Sequence, residues 1–166
     1  GKTVAEAANE KGYHVTYSPK YGSAKRGGLT SCYVVISDKP IGNPRKKMQD
    51  LLLVMEPKAY QQFRNDVMEG GTLVVNSTLV DARDVPPTGV TRLDVPLHDV
   101  CAELGSTKVI SSVALGAIAV LLLDMFPRQE ELLDHMLKKL TRKPELMELN
   151  RKAFCAGVAA MERSRP

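Results

Sequence analysis

Two uninterrupted apolar stretches, separated by one helical pattern, constrain the fold of this chain more than any other feature. They are QDLLLVM at residues 49–55 and TLVVNS at residues 72–77. Apolar residues at consecutive positions are typical of strands buried on both faces, as in parallel sheets. Residues 57–68 begin with a proline, which suits a first helical turn, and carry apolar residues at helical spacing: Tyr60, Phe63 and Val67. We therefore predict a strand–helix–strand unit with a right-handed crossover.

Helices and strands are predicted along the rest of the chain too. Residues 3–12 have a helical pattern that ends at Gly12, and residues 109–164 are predicted to be helical in three pieces, 110–125, 127–140 and 144–164. Further strands are predicted at residues 13–18, 29–37 and 90–96. This order predicts an α/β fold: a three-layer, mostly parallel Rossmann-like sheet with a helical C-terminal part, in a single domain of residues 1–166.

The charge and the hydropathy pattern exclude some classes of protein. The net charge is +4, and the nearest candidates for a basic patch are RKK at residues 45–47 and KKLTRK at 138–143, which form either a solvated surface or a site for phosphates or an acidic partner. No pattern of stacking aromatics accompanies them, so nucleic-acid binding is not predicted. The longest apolar run, residues 113–123, is too short to cross a bilayer, and the first residues lack the apolar core of a signal peptide.

The chain shows no catalytic set of its own. It has three cysteines, Cys32, Cys101 and Cys155, which are far apart in sequence and form no CxxC pair, so they predict no zinc site or iron–sulfur cluster within this chain. We expect each to be a small buried hydrophobe, and reduced thiols suit a cytoplasmic protein. The histidines are isolated and are interpreted as surface or packing residues: His14, His98 and His135. The nucleophile, zinc-protease and phosphate-loop motifs are not found.

Two places could bind a ligand or a partner. In YGSAKRGG, residues 21–28, glycines allow close approach of the backbone, and Arg26 offers a planar fork for phosphate or carboxylate. The alternative is a bend that only joins two strands. Asn76 and Ser77 end a predicted strand, where ligands of open α/β sheets bind. The alternative there is a polar strand end capped against its own backbone.

A series of short motifs follows in a fixed order along nearly the whole chain. They are YGSAKRGG at residues 21–28, ISDKPIGNP at 36–44, GGTL at 70–73, NS at 76–77, ALGA at 114–117 and KPELMELNRKAFCAG at 143–157. This series resembles the gamma subunits of the 2-oxoacid:ferredoxin oxidoreductases. The ISDKPIGNP phrase is closer to the 2-oxoglutarate and branched-chain branches than to the indolepyruvate branch. The family normally opens with a strand and a GxGGQG loop, and the sequence begins just after that point.

The resemblance implies a subunit of an enzyme complex that is inactive alone. Such complexes decarboxylate a 2-oxoacid oxidatively to an acyl-coenzyme A, with coenzyme A as co-substrate, and pass electrons to ferredoxin. Thiamine diphosphate, Mg and iron–sulfur clusters are then held by partner subunits, namely alpha, beta and, where the complex has one, delta. Ferredoxin is met through the complex, and neither nucleic acid nor a membrane is an expected partner.

The resemblance also gives a set of candidate contacts and no catalytic or metal-binding residue. Arg26, Gly27 and Gly28, together with Tyr21, become candidates for coenzyme A phosphates or for an interface with another subunit. The strand-end pair Asn76 and Ser77 is the weaker candidate. The competing hypothesis is a free-standing α/β module that binds a nucleotide or coenzyme A at Arg26 and the strand ends.

Overall fold

The computed structural model describes residues 1–22, 28–44, 46–140 and 144–165. The chain divides into two compact units, Gly1–Lys47 and Met48–Pro166. Each unit has its own sheet, and the two are described separately below.

The first unit is a helix packed on an antiparallel hairpin. Helix α1 spans Lys2–Glu10, and strands β1 (His14–Lys20) and β2 (Ser31–Ser37) pair so that Tyr17 lies opposite Val34. The helix contacts both strands and buries one apolar face: Val4, Ala5, Ala7 and Ala8. Both strands were predicted, but their antiparallel pairing places them in a separate two-stranded sheet.

The second unit contains the predicted strand–helix–strand element. Strands β3 (Gln49–Val54), β4 (Val67–Asn76) and β5 (Thr91–Val95) are all parallel, with β4 in the centre. Helix α2 (Pro57–Phe63) connects β3 to β4. Because the strands are parallel, their carboxyl ends meet at one edge of the sheet, which we call the carboxyl edge.

Helices cover both faces of this sheet. On one face, Val74 and Val95 pack with helices α3 (Leu97–Glu103), α4 (Ile110–Ala119) and α6 (Pro144–Ser164). On the other face, Leu73 and Val75 pack against Tyr60 of α2. Helix α5 (Glu130–Lys138) contacts α4 and α6. The α/β fold with a parallel sheet and a helical C-terminal part is confirmed.

The predicted helix over residues 57–68 ends early. The α-helix stops at Phe63, a 3-10 turn covers Arg64–Asp66, and β4 begins at Val67. Gly70 has φ +79° and donates its N–H to the carbonyl of Gly89 at 2.8 Å, so the glycine pair bends a strand instead of ending a helix. The register between β3 and β4 shifts at this point.

The prediction of three buried cysteines is wrong for two of them. Cys101 is buried in α3, and burial raises the pKa of its thiol, which keeps it protonated and unreactive. Cys32 and Cys155 are exposed. In the part of the chain that the structure describes, no helix is long and apolar enough to cross a membrane.

Helices α4 and α6 approach each other backbone to backbone. A Cβ atom on Gly116 would overlap the carbonyl oxygen of Phe154, and one on Gly157 would overlap the carbonyl oxygen of Val113. The two glycines therefore lie on opposite helices of one crossing, each against the main chain of the other. We call this pair the glycine crossing.

Candidate functional site

Asn76 organises the carboxyl edge of the parallel sheet. It is the last residue of β4 and is fully buried. Its Nδ2 donates to the carbonyl of Met55, just after β3, at 3.0 Å, and its Oδ1 accepts the backbone N–H of Leu97, just after β5, at 3.1 Å. Its Nδ2 also lies 2.8 Å from Nδ1 of His98. One carboxamide thus joins the chain segments that follow all three strands.

The residues after Asn76 continue this arrangement. The N–H of Ser77 donates to the carbonyl of Val95 at 3.0 Å, and Oγ1 of Thr78 accepts the N–H of Asp99 at 3.3 Å. Ser77 and Thr78 remain partly exposed. The predicted pair Asn76 and Ser77 therefore lies at the carboxyl edge and makes hydrogen bonds within the chain, while a role for it in ligand binding stays a prediction.

Arg92, near the start of β5, holds the connection between β4 and β5. Its side chain is only 8% exposed and binds the Asp94 carboxylate, with 2.7 Å between Nη2 and Oδ1. The guanidinium also donates to the carbonyls of Asp84 and Asp81 and lies 5.4 Å from the ring centre of Tyr60. The Tyr60 hydroxyl donates to the Asp84 carbonyl at 2.8 Å. These contacts fix residues 81–84 against α2 and β5.

The Asp81 carboxylate has an exposed partner in Arg83, and the pair gives a testable titration. Nη2 of Arg83 lies 2.6 Å from Oδ2 of Asp81, and these hydrogen bonds lower the pKa of Asp81 to about 2. A depressed folded pKa adds stability above the unfolded value of 3.8, which is lost as the pH falls towards 2. The contribution is small and salt-sensitive because both groups are exposed.

In Arg83→Gln we expect the pKa of Asp81 to return towards its ordinary range, because the charge and the bidentate hydrogen bonds are lost. Carboxyl-carbon NMR over pH 1.5 to 6 measures it, with Asp99 as an internal comparison. An Asp81 pKa that is the same in both proteins contradicts this assignment.

The predicted site residues of the first unit lie where the hairpin strands end. Tyr21 directly follows β1 and is 77% exposed. Gly22 and Gly28 touch through their backbones: a Cβ on Gly22 would lie 2.9 Å from the Cα of Gly28. Tyr21 and Gly28 are therefore brought to the same end of the hairpin. Arg26 and Gly27 lie outside the described residues.

Two residues near these places were not singled out from the sequence as ligand contacts. Lys20, the last residue of β1, places its Nζ 5.2 Å from the ring centre of Tyr33, at the same end of the hairpin. His98 was interpreted as an isolated histidine, and the structure pairs it with Asn76. Over the residues that the structure describes, no group of three or more His, Cys, Asp or Glu side chains could hold a metal ion.

Comparisons with known proteins converge on one family. The family described as pyruvate ferredoxin/flavodoxin oxidoreductase matches residues 1–160. The ketoisovalerate oxidoreductase subunit VorA of Methanothermobacter thermautotrophicus is 31% identical over 73% of this chain and 25% of its own length. The 2-oxoglutarate synthase subunit KorC of Archaeoglobus fulgidus is 29% identical over 95% of this chain and 77% of its own length.

A solved structure gives the same result. The gamma subunit of a keto/oxoacid ferredoxin oxidoreductase from Geobacter sulfurreducens is 32% identical, with a TM-score of 0.77, over 98% of this chain and 89% of that chain. The chain spans about a quarter to a third of the length of the VorA relatives that it matches.

Proposed function

The chain belongs to the pyruvate ferredoxin/flavodoxin oxidoreductase family, and we propose that it is the gamma subunit of a 2-oxoacid:ferredoxin oxidoreductase. The observation that carries this proposal is the likeness to a gamma subunit at 32% identity over nearly the whole chain. The complex would convert a 2-oxoacid and coenzyme A to an acyl-coenzyme A and carbon dioxide and pass two electrons to ferredoxin.

The proposal divides the chemistry between subunits. Alpha and beta subunits, with a delta subunit where one is present, hold thiamine diphosphate, Mg and the iron–sulfur clusters, and meet ferredoxin. This chain supplies an α/β unit in which, over the described residues, every buried side-chain nitrogen and oxygen has a hydrogen-bond partner. The names of its relatives, VorA and KorC, which are called subunits, support an assembly of this kind.

The substrate of the complex is proposed to be 2-oxoglutarate or a branched-chain 2-oxoacid. The relatives include subunits named for 2-oxoglutarate synthase and for ketoisovalerate oxidoreductase. This agrees with the branch that the ISDKPIGNP motif indicates.

We assign the coenzyme A or subunit contact of this chain first to the end of the hairpin. Tyr21 offers an exposed ring for stacking, and Lys20, whose Nζ lies 5.2 Å from the ring centre of Tyr33, adds a cation at the same end of the hairpin. Gly28, with Gly27 and Arg26 from the sequence motif, supplies a backbone that a phosphate can approach. Asn76 and Ser77 provide the second, weaker place, at the carboxyl edge.

We expect that larger subunits co-purify with this chain when it is tagged and isolated from its native cells. The purified assembly should contain thiamine diphosphate and iron and reduce a ferredoxin or a viologen dye when given coenzyme A with 2-oxoglutarate or 2-ketoisovalerate. The chain expressed alone should be inactive and free of iron, because the cofactors belong to the other subunits.

If the tagged chain brings down no protein beyond those recovered from an untagged control strain, the proposal is contradicted. If that isolated chain were then stabilised by coenzyme A in a thermal-shift assay, and Tyr21→Ala removed the effect, the free-standing binding module would take its place. The exposed ring of Tyr21 makes this second hypothesis worth testing.

A further inference from the structure

The backbone around Asn76 determines which way its carboxamide is turned. Its Oδ1 faces the N–H of Leu97, which can only donate, and its Nδ2 faces the carbonyl of Met55, which can only accept. A flipped carboxamide would place two donors together and two acceptors together. The atom 2.8 Å from Nδ1 of His98 is therefore an amide nitrogen that donates.

This orientation fixes the proton on the imidazole ring. Nδ1 of His98 accepts from the Asn76 amide and carries no proton, so the neutral ring must carry its proton on Nε2. We propose that Asn76 is a positioning residue that holds His98 in this tautomer, and that the Nε2–H of His98 is a binding donor at the carboxyl edge for an amide carbonyl oxygen.

The donor is available to a ligand. Among the described residues, Asn76 is the hydrogen-bond partner of the His98 ring, and no buried side-chain nitrogen or oxygen lacks a partner. Since Nε2–H has no partner among them, it must reach solvent, in keeping with the partial exposure of His98. Asn76 is fully buried and thus orients the accessible His98 ring without contacting a ligand itself.

The charges at the carboxyl edge favour a neutral acceptor. Asp99 follows His98 directly and Glu56 follows Met55, and both are exposed, as is Lys58 in the first turn of α2. Two exposed carboxylates against one exposed ammonium group leave the ends of β3 and β5 net acidic, so an anion gains no charge attraction there. An amide carbonyl accepts the same hydrogen bond and needs no charge attraction.

This part of the inference rests on the proposed function. If the chain is a subunit of that complex, two molecules offer an amide carbonyl to His98. One is coenzyme A, whose pantetheine arm contains amides, and the other is the main chain of a partner subunit. The chemistry of recognition is the same for both, so the experiments below first test the tautomer and then separate the two sources.

The tautomer is tested on the full chain with histidine labelled with nitrogen-15 in its ring. Long-range proton–nitrogen NMR at pH 8 should show Nε2 of His98 protonated and Nδ1 unprotonated, with the signals assigned by their loss in His98→Gln. His14, exposed on β1, is the internal control and should show nitrogen signals averaged between tautomers. Averaged signals for His98, or a proton on Nδ1, overturn the proposal.

The Asn76→Asp variant tests whether Asn76 sets the tautomer. A carboxylate accepts and cannot donate, so the His98 proton should move to Nδ1. Retention of the Nε2–H form in a folded Asn76→Asp protein overturns the positioning role. If this variant does not fold, the wild-type comparison of His98 with His14 still decides the question.

The donor role is tested in the assembled oxidoreductase with His98→Phe, which removes the donor, and His98→Gln, which keeps one. A KM for coenzyme A raised about 3- to 10-fold in His98→Phe at unchanged kcat, and restored in His98→Gln, identifies coenzyme A as the source of the carbonyl. Weaker subunit association at unchanged KM identifies a partner main chain. Unchanged KM and unchanged association overturn the donor role, whereas an inactive wild-type assembly would overturn the proposed function instead.

Discussion

Replacing Gly116 or Gly157 by alanine is expected to destabilise the protein by about 3 kcal/mol. At the glycine crossing the added methyl group would overlap a main-chain carbonyl oxygen, that of Phe154 or of Val113. A side chain could move aside, but these oxygens are fixed within helices α6 and α4. The two helices must separate, which opens the apolar cluster that they form with β5 and α3.

The sign of this effect is informative, because alanine is the better helix former. In an exposed helix the same substitution would stabilise by about 0.5–1 kcal/mol. Urea unfolding followed by circular dichroism measures the difference, with Gly42→Ala as a control at an open site, since apart from its chain neighbours no atom lies within 4 Å of a Cβ there. An unchanged or higher unfolding midpoint for Gly116→Ala would show that the helices are not in backbone contact.

The double variant Gly116→Ala, Gly157→Ala should lose less free energy of unfolding than the sum of the two single losses, because one separation of the helices relieves both overlaps.

Arg92→Met should lower the free energy of unfolding by about 2–3 kcal/mol. The substitution keeps most of the apolar stem of the side chain and removes the guanidinium from the Asp94 carboxylate and from two main-chain carbonyls. Asp94 is 42% exposed, so water replaces part of the lost interaction, and we place the effect below that of a fully buried ion pair. Residues 81–84 should then become a site of limited proteolysis under native conditions.

Two variants make this prediction specific. Arg83→Met removes a fully exposed cation that also pairs with an aspartate, and it should leave the unfolding midpoint unchanged. Arg92→Lys keeps the charge but cannot bind Asp94 and two carbonyls in one planar fork, so its loss should be intermediate. Equal effects of Arg92→Met and Arg83→Met would mean that the buried guanidinium does not support the connection.

Local patterns predicted the elements whose burial is set by their own sequence. The apolar run at 49–55 became β3 because both faces of that strand are covered, and α6 has the bounds expected from its pattern. The stretch Arg64–Met68 was predicted as helix because Val67 continues the helical spacing of Tyr60 and Phe63, whereas the structure places Val67, Gly70 and Gly71 in β4. Their use in a strand depends on Gly89, which lies far along the chain and accepts the Gly70 N–H.

The candidate site likewise depends on contacts between residues that are far apart in sequence, which local patterns do not predict. The position of Asn76 at a strand end followed from the pattern, but its partners are 21 and 22 residues away in sequence. His98 was interpreted as an isolated histidine because its partner Asn76 is distant in sequence. Only the parallel order of β4 and β5 brings the histidine to the amide.

The hydrogen bonds of Asn76 also affect its susceptibility to deamidation. An asparagine followed by serine is prone to deamidation, in which the backbone nitrogen of the second residue attacks the side-chain carbonyl carbon of the first. Here the Ser77 nitrogen is hydrogen-bonded to Val95, and the Asn76 side chain is held from both ends by Leu97 and Met55. The nucleophile and its target are kept apart while the carboxyl edge is folded, so succinimide formation at Asn76 requires that the edge first open.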